Sequence, residues 1–156
     1  NKTEIEKQLD LNRSLPAIQG STYFSAKSFH KNAFGINEIL KKNYYQHPTL
    51  PPTINQNTTF IPEPVSNIAL TKTKGRKYQL SWKVTPENTA KEAVKFLVYT
   101  FDRDEAVDVN DPSKIIALTG TTLLTIDKRD FRKRTTFVIF PVSRNNNIGK
   151  GAVFVW

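Results

Sequence analysis

Tyr78, Leu80, Trp82 and Val84 alternate with Gln79, Ser81 and Lys83. A strict two-residue period suits a half-buried β-strand and no helix, because successive strand side chains point to opposite faces. The same grammar recurs on both sides. Val65–Thr71 (VSNIALT) reads as a short strand, and the chain turns at Lys72–Lys77 around Gly75. Val94–Phe101, Ile115–Leu118, Thr121–Ile126, Thr135–Val142 and Ala152–Trp156 read as five more, separated by polar loops. Seven short strands in about ninety residues, with turn chemistry between them, predict an antiparallel Greek-key sandwich of immunoglobulin-like type.

The region before it obeys another rule. Tyr44–Pro64 holds five of the nine prolines and has neither a helical nor a strand period. Upstream, Thr3–Asn12 is expected to be a helix with Ile5 and Leu9 on one face and a capping box between Thr3 and Glu6. Ala17–Ser25 reads as a strand, and Ile36–Tyr44 as a second helix with Ile36, Ile39 and Leu40 inward. The expected organisation is a helix–strand–helix piece over 1–54, a proline-containing linker over 55–64 and the sandwich over 65–156. A single strand has no neighbour to pair with, so the first piece reads as the end of a larger domain. A chain that opens on Asn1 and holds no methionine is likewise expected to be part of something longer.

Composition narrows the chemistry. With no cysteine, disulfides, thiolate catalysis and thiolate metal sites are excluded. No run approaches the length of a membrane-spanning helix. The net charge of +9 divides as +3 over 1–54 and +6 over 55–156. In a sandwich of this topology three connections meet at one pole. One carries Lys72, Lys74, Arg76 and Lys77; another carries Lys128, Arg129, Arg132, Lys133 and Arg134. Between them lies DRDEAVDVNDP, with Asp102, Asp104, Glu105, Asp108 and Asp111. The acids are expected to offset the bases there, which argues against a nucleic-acid track. As a calcium loop the acidic run fails, since Ala106 stands where an oxygen ligand belongs and no glycine makes the turn.

The strands of the second sheet are apolar on both faces, with Leu97, Tyr99 and Phe101 on one side of the third strand opposite Phe96 and Val98. Val138 and Phe140 repeat this in the sixth. A sheet with one wet face should alternate, so Leu97, Tyr99, Phe101, Val138 and Phe140 are expected to form an interdomain or ligand surface. Pro141 cannot donate to a ladder, and a bulge or the end of pairing is expected there. His30 and His47 lack any metal-ligand spacing, and no nucleophile triad or phosphate-binding glycine loop is present. No cofactor, metal or catalytic residue is therefore expected.

The proline-rich lead-in, Y-x-L-x-W over Tyr78–Trp82 and F-x-V-Y over Phe96–Tyr99 resemble a fibronectin type III domain. Trp82 stands at that family's core tryptophan, and Phe137 where the family often has a tyrosine. A second resemblance covers nearly the whole chain: QGSTYFSAKSF (Gln19–Phe29), GINEILKKNYYQHPTLPP (Gly35–Pro52) and FLVYTFDRDEAVDVNDP (Phe96–Pro112). These are similar to the C-terminal end of the glycosyl-hydrolase-like lipoproteins of bacterial envelopes, in which a catalytic-type barrel precedes a fibronectin-type module. The family's usual P-A-L-V-P-P is here a shorter Pro48-Thr49-Leu50-Pro51-Pro52.

The resemblance implies that the first piece is the last helix, strand and helix of a (β/α) barrel. It implies a periplasmic or outer-membrane lipoprotein of the bacterial cell envelope. Tyr23, Ser25 and Lys27 would then line the edge of a substrate cleft, since barrel enzymes use the C-terminal ends of their strands. Glycoside hydrolysis ordinarily needs two carboxylates flanking one bond, and Glu4, Glu6, Asp10 and Glu38 all lie on expected helices. The chain is therefore expected to be a non-catalytic accessory region whose partner is its parent barrel. The alternatives are a polysaccharide-binding module using exposed Tyr99 and Phe101, or nucleic-acid or anionic-surface binding through the basic loops. A homodimer through the unpaired strand or the apolar sheet face is a further expectation.

Overall fold

Leu80, Trp82, Phe96, Val98, Phe137 and Ile139 converge from three strands on one core, because each is an alternate residue of its strand. A computed structural model of the chain describes residues 4–18, 20–23, 26–51, 53, 60–86, 93–102 and 104–156. It divides into two units, Asn1–Gln46 and His47–Trp156.

The second unit holds β1 (Ser66–Lys72), β2 (Lys77–Lys83), β3 (Ala93–Phe101), β4 (Ile115–Thr119), β5 (Leu123–Asp127), β6 (Thr136–Ser143) and β7 (Ala152–Val155). They form a three-stranded sheet in the order β1-β2-β5 and a four-stranded sheet in the order β4-β3-β6-β7, all antiparallel. This is the fibronectin type III-like sandwich anticipated above, with each strand within a few residues of its expected span. The fifth starts late because the Thr121 N–H donates to Thr119 Oγ1 (3.1 Å) and the Thr121 hydroxyl to the Leu123 carbonyl (2.8 Å), making a side-chain turn.

The core is aromatic at both ends. Trp82 meets Phe96 edge-on at 5.4 Å between ring centres. Phe137 is fully buried and meets Phe131 edge-on at 5.8 Å. A tyrosine at Phe137 would bring a hydroxyl into these apolar surroundings, where an unpaired polar group is costly.

Pro141 lies inside β6, opposite Phe96 of β3. Its carbonyl accepts from the Gly149 N–H at 2.8 Å, so its missing N–H faces the β7 side too. β7 pairs with β6 only as far as Ala152 opposite Ile139. The ladder is interrupted at the proline and resumes as a single bridge between Val142 and Ile148, one residue out of register with the pairs before it. On the β3 side the neighbouring register shift falls between Ala93 and Lys95.

In the first unit, α1 spans Glu4–Ser14, α2 Lys27–His30 and α3 Ile36–Asn43. Leu9 of α1 and Leu40 of α3 are buried. The Tyr44 hydroxyl ties the two long helices, donating to Asp10 Oδ1 at 2.8 Å. Asn32 organises the entry to α3, with its amide on Glu38 and its Oδ1 accepting from the Asn37 N–H. Thr3, and with it the expected capping box, lies outside the described residues. The expected strand at Ala17–Ser25 is corrected over its described residues: Ala17 lies in a turn and 20–23 joins no ladder, while Gln19, Phe24 and Ser25 lie outside the described residues. A strand needs a ladder partner, and no strand is found among the described residues of this unit. Among the described residues no helix is long and apolar enough to cross a membrane.

Candidate docking face

The register of the four-stranded sheet builds its outer face in rows. Leu118, Leu97 and Phe140 make one row; Ile115, Tyr99, Val138 and Val153 make the next. Phe101 opposes Thr136, which in turn opposes Val155. All five residues anticipated for this surface are therefore brought together. Their exposure is another matter.

Leu97, Tyr99, Phe101 and Val138 are buried, at 1–5% exposure, and Phe140 is half-buried. Tyr99 and Phe101 stack in parallel at 6.1 Å, and Phe140 meets Tyr99 edge-on at 5.6 Å. Neither Tyr99 nor Phe101 offers the open ring face that a sugar platform uses, which corrects the expectation of exposed aromatics. Burial also pushes the Tyr99 hydroxyl to a higher pKa.

The cover comes from the sandwich unit itself. Leu50, from the proline-rich segment, packs against the cluster of Leu97, Tyr99, Phe101, Val138 and Val142. The acidic connection between β3 and β4 folds back as well, and its Val109 carbonyl accepts the Tyr99 hydroxyl at 3.0 Å. A cavity of about 280 Å³ remains between Leu50, Leu97, Tyr99, Val109, Ile115 and Ile148.

One glycine lets the far end of the lead-in settle, and a second makes room for the Phe140 ring. A Cβ on Gly149 would stand 2.1 Å from the Pro62 carbonyl oxygen, and Pro62 is fully buried. One on Gly151 would stand 2.7 Å from the Phe140 ring. The Asn147 amide donates to the Phe60 carbonyl at 3.2 Å. Leu50, Val109, Gly149 and Gly151 were not singled out from the sequence. The only local sign of Leu50 was one apolar residue enclosed by Pro48, Pro51 and Pro52.

The acidic connection spends its carboxylates on itself. Glu105 pairs with Lys114. Asp108 Oδ1 accepts from the Asn110 N–H at 2.9 Å, and Asp111 Oδ1 from the Ser113 N–H at 2.8 Å. These bonds hold Glu105 and Asp111 below their ordinary carboxylate values. Glu105, Asp108 and Asp111 thus find these partners within the loop and its flank rather than among the basic loops. Arg103 lies outside the described residues. Among those described, no group of three His, Cys, Asp or Glu side chains could hold a metal ion.

A cleft of about 500 Å³ runs along the free edges of β4 and β5, over Ile126, Phe131 and Phe137, with Lys77, Asp127 and Asp130 also lining it. Two aspartates invite an acid–base reading. However, Asp127 is gripped by Arg129 through both oxygens, at 3.0 and 3.2 Å, and held below its ordinary value. A general acid needs the opposite shift.

In the helical unit, the Tyr23 hydroxyl lies 3.0 Å from that of Tyr45, and its ring meets Phe29 edge-on at 5.2 Å. Burial first, and then the Tyr45 hydroxyl, push its pKa strongly upward. Lys27 is exposed at the start of α2, and Ser25 lies outside the described residues. His30 and His47 are both exposed.

No family model matches the chain. Over 49 residues, 31% of this chain, it is 41% identical to the glycosyl hydrolase YngK of Bacillus subtilis (strain 168), and it covers 10% of that relative's length. Similar solved structures include the fibronectin type III domain of a human fibronectin type III domain containing protein, at 12% identity and a TM-score of 0.45, covering 65% of this chain and 91% of that one. The Endo-D glycoside hydrolase domain of Streptococcus pneumoniae R6 matches at 13% identity and a TM-score of 0.44, covering 64% of this chain and 15% of that one. The chain is thus a fibronectin type III-like sandwich with a helical N-terminal unit, similar over a short stretch to a glycosyl hydrolase.

Proposed function

We propose that the chain is a non-catalytic C-terminal accessory region of a glycoside hydrolase-like enzyme of the bacterial cell envelope, whose sandwich packs against the catalytic barrel and orients it. One observation carries the reading: Leu50 and Phe60–Pro62 lie on the sandwich, so the segment leading into it is built into the module at both described ends. A free tether would leave both ends in water. Val153 and Val155, about 60% exposed on the outer face of β7, are among the apolar side chains left for the barrel. The short likeness to a glycosyl hydrolase supports the parentage.

Backbone relaxation by NMR on the 156-residue chain tests the reading. Residues 47–51 and 60–65 are expected to show order parameters near those of the strands, about 0.85, and Leu50→Ser should lower them. Values below about 0.6 in the unaltered chain would mean a loose tether and end the proposal. Neutral polysaccharides in affinity gels should not retard the protein; retardation would favour a sugar-binding module instead.

A further inference from the structure

Most of the charge excess sits on two adjoining turns. The β1–β2 turn and the β5–β6 connection together hold nine lysines and arginines against Asp127 and Asp130, a net +7 where the whole chain carries +9. The turns are neighbours: Lys77 pairs across the sheet with Asp127, and the Lys128 N–H donates to the Arg76 carbonyl at 2.7 Å. In the β3–β4 connection Glu105 pairs with Lys114, and Asp108 and Asp111 accept from neighbouring backbone N–H groups, so these bonds hold no cation of the two turns. Among the described residues Arg129 is the one exposed cation of the two turns held by a carboxylate.

The turns are also held in shape. Arg132 N–H donates to the buried Thr135 hydroxyl at 2.9 Å, and Thr135 N–H returns a bond to the Arg132 carbonyl. Arg134 sits at a φ of +66°, a left-handed backbone that glycine would adopt more easily. Beneath them Tyr78, Phe131 and Trp156 stand edge-on to one another at 5.3–5.7 Å. The Lys128 ammonium lies 4.0 Å from the Trp156 ring centre and 4.7 Å from that of Phe131. The rings are occupied by each other and by this lysine.

We propose that these two turns bind an anionic polysaccharide, a polymer carrying regularly spaced carboxylates or phosphates. Exposed cations on preformed turns suit a line of anionic groups, and such a surface concentrates a polyanion by its field. Single-stranded nucleic acid is disfavoured because its binding relies on ring faces for base stacking, and the rings here are taken. The choice of a sugar polymer rests on the accessory role proposed above.

Affinity electrophoresis and titration of the 156-residue chain with polygalacturonate and with a glycerol-phosphate polymer test the proposal, with neutral dextran and a DNA duplex as controls. The two anionic polymers separate carboxylate from phosphate recognition. Retardation by either at low salt is expected, with affinity falling steeply as salt rises. Arg132→Glu with Lys133→Glu should weaken it tenfold or more. Lys7→Glu with Lys31→Glu changes the net charge equally on the helical unit and should leave binding unchanged. Three results overturn the proposal: no binding to either polymer, equal loss in both double variants, or duplex DNA bound as tightly as the glycan. A mobile lead-in in the relaxation experiment would instead sink the accessory role and leave this binding intact.

Discussion

The helical unit and the sandwich solve the problem of burial with unequal means. Among the described residues the helical unit buries two hydrophobic side chains, Leu9 and Leu40, and leaves Leu11, Leu15, Ile18 and Phe34 between 40 and 72% exposed. The sandwich unit buries fourteen, in one cluster between its sheets and a second on the outer face of the larger sheet. The difference teaches where cooperativity resides. Two sheets close over each other and exclude water, whereas the two longer helices bury one leucine each and are joined by polar ties such as Tyr44 to Asp10. Hydrophobic burial is the dominant favourable term in folding, so the sandwich should behave as the self-sufficient partner.

The comparison breaks most visibly at the centre of the sandwich. Phe137→Ala should cost about 3–5 kcal/mol in urea unfolding, since a fully buried ring leaves a cavity between packed sheets. If the two units unfold independently, far-UV helical signal should persist after the sandwich melts; simultaneous loss would make them one cooperative body. Next comes the lead-in. Gly149→Ala drives a Cβ against the Pro62 carbonyl and should cost about 1–3 kcal/mol, with faster amide exchange at 60–65 as its signature. Unchanged exchange there would show that the lead-in is not held by this contact.

Lys128→Met keeps the aliphatic stem and removes the charge over Trp156 and Phe131. A loss of about 0.5–2 kcal/mol is expected, together with a change in tryptophan fluorescence. Tyr44→Phe should cost about 1 kcal/mol, confined to amide protection in α1 and α3, because it deletes one hydrogen bond of the helical unit. A matching drop in sandwich stability would contradict the separation drawn here.

The smallest effect is on pH. Glu105, Asp111 and Asp127 titrate below their ordinary values in the folded chain, so the unfolded chain binds more protons as acid is added. Their contribution is complete above the unfolded carboxylate range near pH 4 and is lost as the pH falls through the folded values. All three are solvent-exposed, so the acid limb should be shallow and flatten further in high salt. Urea midpoints from pH 7 to pH 2 would measure it.

How much could be read from the chain follows from the range of each interaction. The strand around Trp82 was legible from its local alternation, and those around Tyr99 and Phe137 as short apolar runs bounded by polar loops. The helices at Glu4–Ser14 and Ile36–Asn43 were legible from local spacing too, through Leu9 and Leu40 on their buried sides. The Ala17–Ser25 run misled, since its residues favour a strand while no strand lies among the described residues of its unit to pair with it.

The outer sheet face shows the other limit. Its apolar rows over Leu97, Tyr99 and Val138 could be counted along the strands, but what covers them could not. Leu50 and Val109 carry no period, and Gly149 declares its purpose only when Pro62 lies above it. The partners of the acidic run were equally out of reach: Glu105, Asp108 and Asp111 bond to neighbours in sequence, which composition alone does not say. Local patterning determined the seven strands and the apolar character of both sheet faces, because side-chain direction follows from the backbone repeat. Only the tertiary structure decided which faces are sealed, by which residues, and which charges face water unpaired, because those depend on contacts between segments that the repeat does not relate.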